Sequence, residues 1–186
     1  AVAGNLSLFT TGAGNVYVPT AGINQPGALI INANDLLDTD SDVNLAANSA
    51  SITLRNAAAP RNWNTSFNDL TLSLTGGGDF ALTDNNALNI TAATTGGNTS
   101  FTTTNGDLTL ASDPNAGGNL SLNTLGSGRI ILPVAGISEA GNLTINADDV
   151  LDTDTNVSLA ATDADINLRA ATGSRTWNTD FDRLSL

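Results

Sequence analysis

The chain has 186 residues, of which 18 are acidic and 6 are basic, so its formal net charge is −12 at pH 7. Every basic residue is an arginine, and lysine, histidine, cysteine and methionine are absent. This composition excludes Ser-His-Asp and Cys-His nucleophiles, Schiff-base lysines and zinc sites with the usual ligands. The negative charge also argues against nucleic acid, which needs a basic surface.

Short apolar pairs with a spacing of two residues recur along the whole chain. They are Leu6/Leu8, Val16/Val18, Leu29/Ile31, Val43/Leu45, Ile52/Leu54, Leu70/Leu72, Phe80/Leu82, Leu88/Ile90, Leu108/Leu110, Leu120/Leu122, Ile130/Leu132, Leu143/Ile145, Val157/Leu159, Ile166/Leu168 and Leu184/Leu186. Such brief alternation is typical of strands with one buried face, and the Gly, Asn, Asp, Thr and Ser between the pairs favour turns. No segment approaches the roughly 18 apolar residues that a membrane-spanning helix needs. The sequence therefore predicts an all-β chain without a membrane span.

The chain also contains a long internal repeat, in which the pairs of the first copy recur in the second. Residues 4–72 align without a gap with residues 118–186, at an offset of 114 positions, and about 38 of the 69 aligned positions are identical. Self-similarity of this kind is the signature of a periodic stack. We therefore expect residues 1–186 to be a single repeat segment of a longer chain, with residues 73–117 forming the coils between the two copies.

Two architectures accommodate many short strands: a sandwich of antiparallel strands and a coil of parallel ones. Asn105-Gly106 is a hairpin-type turn, but most connections are looser. A gapless repeat is explained more simply by a right-handed parallel β-helix, whose coils of roughly 19 to 28 residues stack about 4.8 Å apart. This solenoid is the predicted fold, with about four to six coils in each long repeat.

Phrases built on Gly-Asn/Asp-Leu-Thr-Leu recur as GNLTINA (141–147), GNLSLNT (118–124), ALNITAATT (87–95) and NGDLTLAS (105–112). Over essentially the whole chain, this pattern resembles the repeat shaft of filamentous-haemagglutinin-type exoproteins, the large two-partner-secretion adhesins of Gram-negative bacteria. The resemblance implies a β-helical fibre that leaves the cell through an outer-membrane secretion pore. It also implies a role in adhesion, biofilm cohesion or contact-dependent inhibition, and it brings no catalytic motif.

Acidic residues recur at alternate positions in both copies. The first run is Asp38, Asp40 and Asp42, and the second is Asp152, Asp154 and Asn156. Oxygen ligands at this spacing resemble the start of a calcium loop, but valine stands where its glycine should be and no bidentate glutamate follows. Two interpretations stay open: a weak calcium site, which would be the only cofactor, and a turn in which side-chain oxygens accept backbone N–H groups.

An arginine and two aromatic residues form a second recurring cluster. Its members are Arg61, Trp63 and Phe67 in the first copy and Arg175, Trp177 and Phe181 in the second. Arginine and tryptophan two residues apart share one face of a strand. On an exposed face they could grip a sugar ring, whereas on an inner face they would fill the core. Arg55 and Arg169, which end the strands ITLR and INLR, are expected to pair with carboxylates in the stack.

These observations predict a structural shaft segment of a secreted adhesin, at the cell surface or in the extracellular matrix, and not an enzyme. Its partners would be an exopolysaccharide or cell-surface receptor, with lateral or end-to-end self-association. The first alternative is an exopolysaccharide-binding module that uses the tryptophan clusters. A less favoured one is a polysaccharide-cleaving β-helix, with the aspartate pairs as its only candidate carboxylates.

Overall fold

The computed structural model describes residues 4–38, 43–152, 156–174 and 176–186. Within these ranges the chain is all β, and no helix long and apolar enough to cross a membrane occurs in them. The strands are β1 (Leu6–Phe9), β2 (Val16–Val18), β3 (Ile23–Asn24), β4 (Ala28–Ala33), β5 (Leu36–Asp38), β6 (Val43–Ala46), β7 (Ser49–Leu54), β8 (Arg61–Ser66), β9 (Asp69–Leu74), β10 (Phe80–Asp84), β11 (Leu88–Thr95), β12 (Thr99–Thr103), β13 (Leu108–Leu110), β14 (Asn115–Ala116), β15 (Leu120–Thr124), β16 (Ile130–Leu132), β17 (Ile137–Ser138), β18 (Leu143–Ala147), β19 (Val150–Asp152), β20 (Asn156–Leu168) and β21 (Thr176–Ser185).

The strands stack into two long sheets and one short one. The nine-stranded sheet has the order β1-β4-β7-β9-β11-β13-β16-β19, with β14 also paired to β11. The ten-stranded sheet has the order β17-β20-β18-β15-β12-β10-β8-β6-β3, with β21 also paired to β20, and β2 pairs with β5 in the short sheet. All of these strand pairs are parallel. The chain is therefore a β-solenoid of about nine coils, as predicted, and not an antiparallel sandwich.

One column of paired residues gives the number of residues in each coil. It runs through Leu6, Leu29, Ala50, Leu70, Ile90 and Leu110, each paired with the next. Five coils thus take 104 residues, and single coils range from 19 residues between Phe80 and Thr99 to 23 between Leu6 and Leu29. The predicted coil length is confirmed, and so is the prediction of about four to six coils in the long repeat.

The second copy of the repeat is rotated around the solenoid relative to the first. The offset of 114 residues exceeds the five coils by ten residues, which is about half a coil. Strands β1, β4, β7 and β9 accordingly lie in the nine-stranded sheet, whereas their sequence equivalents in β15, β18, β20 and β21 lie in the ten-stranded sheet. Equivalent residues nevertheless keep equivalent partners within each copy, as Leu6 with Leu29 and Leu120 with Leu143, because the whole copy is rotated together.

The core is a set of columns of inward side chains. Burial alternates along the strands, for instance in β9, where Leu70, Leu72 and Leu74 are buried and Thr71 and Ser73 are exposed. Burying an aliphatic side chain of this size stabilises the fold by about 1.5–3 kcal/mol relative to leaving it exposed. The predicted pair Leu184/Leu186 is an exception, because both side chains are exposed at the end of β21.

The repeated Gly-Asn phrase is explained by one corner of the coil. Side-chain oxygens of Asp79, Asn98 and Asn119 each accept the backbone N–H of the equivalent residue one coil further on, at 2.9 Å. The preceding glycines stack closely, and a Cβ added to Gly141 would lie 2.4 Å from the carbonyl oxygen of Gly118. The phrase therefore serves coil stacking, since only glycine allows this approach of two backbones.

Asn105-Gly106 forms another corner of the coil and not the hairpin that its sequence suggests. Gly106 has a positive φ of 97° and lies between β12 in the ten-stranded sheet and β13 in the nine-stranded sheet. The Thr103 hydroxyl donates to the Gly106 carbonyl oxygen at 2.9 Å. The positive φ that favours glycine in a hairpin turn is used here to pass from one sheet to the other.

Candidate functional site

The first aromatic cluster lies inside the solenoid. Alternation along β8 points Arg61, Trp63 and Thr65 inward, and the exposed fractions of Trp63 and Phe67 are 1% and 0%. The Trp63 ring meets Phe80 edge to face, with 5.0 Å between ring centroids and 89° between planes. A sugar cannot reach these side chains, so the glycan-site prediction is wrong for Trp63 and Phe67, and they pack in the core instead.

Arg61 shares this inner face, as the two-residue spacing predicts, but its partner is a carboxylate. Its guanidinium forms an ion pair with Asp35, and the two side chains are only 11% and 13% exposed. Asp35 also accepts the backbone N–H of Leu36 at 2.8 Å. A buried pair of this kind tolerates the loss of either partner poorly. Arg61 is therefore a structural residue and presents no charge to a ligand.

The two aromatic residues of the second cluster lie in β21. Trp177 and Phe181 are half-buried and pack against the core, and Arg175 lies outside the described residues. Strand β21 pairs with β20 on one side, and no described strand pairs with its other side. The glycan interpretation of Trp177 and Phe181 stays a prediction.

The acidic runs begin at the last residues of β5 and β19. Asp40, Asp42 and Asp154 fall outside the described residues, whereas Asp38 ends β5, Asp152 ends β19 and Asn156 begins β20. Among the described residues, no group of three or more acidic side chains could hold a metal ion. Calcium binding by these runs therefore stays a prediction.

Two aspartates immediately before the acidic runs also accept backbone N–H groups. Asp149 accepts the backbone N–H of Val150 at 2.9 Å, which matches the contact between Asp35 and Leu36 in the first copy. Each contact is with the next residue along the chain, whereas an Asx turn reaches the backbone N–H two residues on. The turn interpretation of the runs therefore stays a prediction.

Arg169 ties three successive coils together. Its guanidinium donates to Asp148 at 2.9 Å and Asn146 at 3.0 Å one coil away, and to the Gly126 carbonyl at 2.7 Å two coils away. The expected pairing with a carboxylate is thus confirmed for Arg169. The contact lies on the outer edge of the stack and acts as a clamp across coils.

Arg55 makes the same clamp without a carboxylate. It donates to the Asn32 side chain one coil away and to the carbonyls of Thr10 at 2.8 Å and Gly12 at 3.2 Å two coils away. Its expected pairing with a carboxylate is therefore wrong. The reason lies in the sequence, because Asn34 occupies the position that corresponds to Asp148.

Asp84 is a buried acid that the sequence analysis did not single out. It is 0% exposed and accepts hydrogen bonds from the Thr65 hydroxyl at 2.6 Å, the Phe67 amide at 2.8 Å and the Asn86 amide at 2.8 Å. Burial raises the pKa of Asp84 above its ordinary value, and the three hydrogen bonds offset that rise only in part. Alternation in β10 already places Asp84 inward with Phe80, which is the signal that could have identified it.

Asp113 and Glu139 are a second buried acidic feature missed from the sequence. Glu139 is only 6% exposed, and its position in the second copy corresponds to Gln25 in the first. Burial and, to a smaller extent, the negative charge of Asp113 raise the pKa of Glu139 to about 8, although a hydrogen bond with the Ala116 backbone acts in the opposite direction. The replacement of glutamine by glutamate between the copies is the sequence signal for this site.

The outer surface has shallow grooves lined by both polar and apolar residues. One of about 410 Å³ lies along Asn142, Thr144, Asp163 and Asp165, beside Arg183 in the last coil. The Arg183 guanidinium donates two hydrogen bonds to the Asp163 carboxylate, at 3.0 and 2.5 Å. These bonds lower the pKa of Asp163. The groove therefore presents amides, hydroxyls, the Asp165 carboxylate and an ion pair, and it contains no activated nucleophile among the described residues.

No protein-family model, curated protein or solved structure matches this chain.

Proposed function

We propose that this chain is a structural segment of the shaft of a secreted bacterial adhesin, which projects or crosslinks a binding element at the cell surface or in the extracellular matrix. One observation carries the proposal. Many of the described polar side chains bond from coil to coil, as in the ladder of Asp79, Asn98 and Asn119 and in the clamps of Arg55 and Arg169. Hydrogen bonds that join successive coils make the solenoid a stiff rod.

The continuous core supports the same proposal. Aliphatic residues lie above one another through five coils from Leu6 to Leu110, in parallel strands about 4.8 Å apart. The strands of each coil pair with those of the coils before and after it, so the stack can extend over any number of coils. A fold of this type suits a spacer.

Export is proposed from the composition and the family resemblance. The chain has no cysteine that could form a disulfide and obstruct passage of an unfolded chain through an outer-membrane pore. The excess of carboxylates over arginines gives neighbouring fibres the same charge, which opposes their collapse onto one another. Antibodies against the chain should label intact cells of the producing bacterium, and labelling only after lysis would contradict an extracellular location.

Glycan binding is the alternative to a passive shaft, and one experiment separates the two. The chain is mixed with a neutral glucan and, separately, with alginate, and protein co-sedimentation and polymer length are followed together. A shaft segment should neither sediment with the polymer nor shorten it. Retention without shortening, abolished in Trp177→Ala but kept in Trp63→Phe, would overturn the shaft in favour of a binding module. Shortening of the polymer would indicate an enzyme.

A further inference from the structure

Four buried polar residues lie one above another on the inner face of the ten-stranded sheet. They are Thr65, Asp84, Thr103 and Thr124, each paired with the next, and they are between 0% and 2% exposed. The neighbouring inner column is apolar and consists of Trp63, Leu82, Phe101, Leu122 and Ile145. A buried polar group requires a hydrogen-bond partner, so the polar column constrains the stack more strictly than the apolar one.

The two threonines that follow Asp84 in this column find their partners within their own coil. The Thr103 hydroxyl donates to the Gly106 carbonyl oxygen at 2.9 Å. The Thr124 hydroxyl donates to the Gly128 carbonyl oxygen at 2.6 Å. Each of these threonines therefore closes the turn after its own strand, and these two bonds do not depend on how the coil is aligned with the one before it.

Asp84 differs because it accepts two hydrogen bonds from the preceding coil. Its Oδ2 atom accepts the Thr65 hydroxyl at 2.6 Å and the Phe67 amide at 2.8 Å. Its Oδ1 atom accepts the Asn86 amide in its own turn, at 2.8 Å. The carboxylate is 0% exposed, so water cannot replace any of these three donors.

The apolar columns do not specify a single alignment of successive coils. The distance between paired residues is 19 residues from Phe80 to Thr99, 21 from Thr99 to Leu120 and 23 from Leu120 to Leu143. The turns thus accommodate coils that differ by two residues. A shift of two residues keeps every inward side chain inward, because the alternation along a strand has a period of two.

A two-residue shift of β10 along β8 would separate Asp84 from its donors in the preceding coil. The carboxylate would lie opposite Trp63, or opposite Phe67 beyond the end of β8, and no longer opposite Thr65. The indole N–H of Trp63, which has no partner in the core, could replace only one of the two lost donors. Leaving a buried charged group short of donors is costly, so the shifted alignments are disfavoured.

We propose that Asp84 sets the register in which the coil of β10 and β11 stacks on the coil of β8 and β9. The apolar columns hold the two coils together, and the carboxylate selects one of the alignments that these columns allow. A single buried polar residue selects the alignment of coiled-coil helices in the same way. Cohesion and register are thus supplied by different residues of the same stack.

Pairs of introduced cysteines on the outer face measure the register, because the chain has no cysteine of its own. Thr83 is the partner of Asn64, so their Cα atoms are about 4.8 Å apart, within reach of a disulfide. Asn62 and Ser66 lie two residues to either side and are about 8 Å from Thr83, beyond that reach. Thr83→Cys combined with Asn64→Cys reports the native alignment, and its combinations with Asn62→Cys and Ser66→Cys report the two shifted ones.

The rate of disulfide formation in a glutathione buffer is measured for each pair. It is divided by the rate of the same pair in the urea-unfolded chain, which removes differences in thiol reactivity. With Asp84 present, the native pair should form at least about 100-fold faster than either shifted pair, as expected for two hydrogen bonds to a charged group. Asp84→Leu should reduce this preference to less than about tenfold.

Thr103→Leu is the matched control, since Thr103 is equally buried in the same column but bonds within its own coil. It should retain the full preference for the native pair. An unchanged preference in Asp84→Leu would overturn the proposal, and so would an equal loss in Thr103→Leu.

A second variant decides the outcome if circular dichroism shows that Asp84→Leu does not fold. Thr65→Val keeps the shape of the side chain and removes one of the two donors in the preceding coil. It should lower the preference for the native pair by about tenfold. If Thr65→Val leaves the preference unchanged, the hydrogen bonds of Asp84 do not set the register and the proposal is overturned.

Discussion

The two copies of the long repeat share their inward pattern but not their burial. Trp63 in the first copy is covered by the coil that contains Phe80, and it is among the most buried side chains. Trp177, which corresponds to Trp63 in sequence, is half-buried because β21 has no described strand on its outer side. The comparison teaches that alternation selects the side chains that point inward, whereas the next coil decides whether they are buried.

Other features are the same in both copies despite the half-coil rotation. The Gly22 amide donates to the Pro19 carbonyl at 2.6 Å, and the Gly136 amide donates to the Pro133 carbonyl at 2.7 Å. Arg55 and Arg169 reach equivalent residues one and two coils away. Local turns and clamps therefore depend on the sequence of the copy, and burial depends on the coil that follows it.

The largest expected difference between the copies is at the tryptophans. Trp63→Ala should lower the free energy of unfolding by about 3–5 kcal/mol, because it leaves a cavity in a packed core. Trp177→Ala should cost less than about 2 kcal/mol, since its ring is only half-buried. Urea unfolding followed by circular dichroism measures both, and equal losses would contradict the difference in burial.

The turn glycines should instead behave alike. Gly22 and Gly136 have positive φ values of 74° and 77°, and an added Cβ would lie 2.5 and 2.1 Å from the carbonyl oxygens of Asn44 and Ser158. Gly22→Ala and Gly136→Ala should each cost at least about 2 kcal/mol of unfolding free energy.

Gly12 is the matched control for these two glycines. Its φ is also positive, at 57°, but nothing lies within 4 Å of an added Cβ, so Gly12→Ala should cost only about 1 kcal/mol. Thermal unfolding of the three variants checks the order. A loss for Gly12→Ala as large as the other two would show that backbone conformation, and not close approach, sets the cost.

Removing either arginine clamp should have a moderate effect. Arg55→Ala and Arg169→Ala should each cost about 1–2 kcal/mol, because each variant loses hydrogen bonds to two neighbouring coils. Amide hydrogen exchange should increase locally, around residues 10–12 for Arg55→Ala and around residues 124–126 for Arg169→Ala. Increased exchange over the whole chain in either variant would contradict a local clamp.

The smallest effect tests the one chemical difference between the clamps. Asp148→Asn converts the second clamp to the carboxylate-free form of the first, and it should cost less than about 1 kcal/mol, because the pair is partly exposed. The loss should disappear in about 1 M salt, where such pairs are screened. A loss that persists in high salt would assign Asp148 a role other than ion pairing.

Much of the fold could be predicted from the sequence. Period-two pairs such as Leu29/Ile31 identify strands, and the Gly-Asn phrases identify corners, because these preferences depend on local geometry. The gapless repeat identifies a stack of coils. The face shared by Arg61 and Trp63 was also predicted correctly, although it lies inside the solenoid and not on its surface.

The candidate sites were less predictable, because their partners lie one or two coils away. Arg61 meets Asp35 at a separation of 26 residues, and Ser138 meets Asp113 at a separation of 25. Coil lengths vary between 19 and 23 residues, so the partner of a given residue cannot be counted off from the sequence. Only the pairing of strands reveals which polar groups meet.

The sequence by itself determined the strands, their inward faces, the glycine and asparagine corners and the existence of stacked coils. All of these follow from backbone preferences and side-chain alternation within a few residues. The tertiary structure decided the half-coil rotation of the second copy, the different burial of Trp63 and Trp177, and the meeting of Asp113 with the Ser138 backbone N–H. These depend on the register between coils about 20 residues apart, which the summed lengths of the turns set and no local preference encodes.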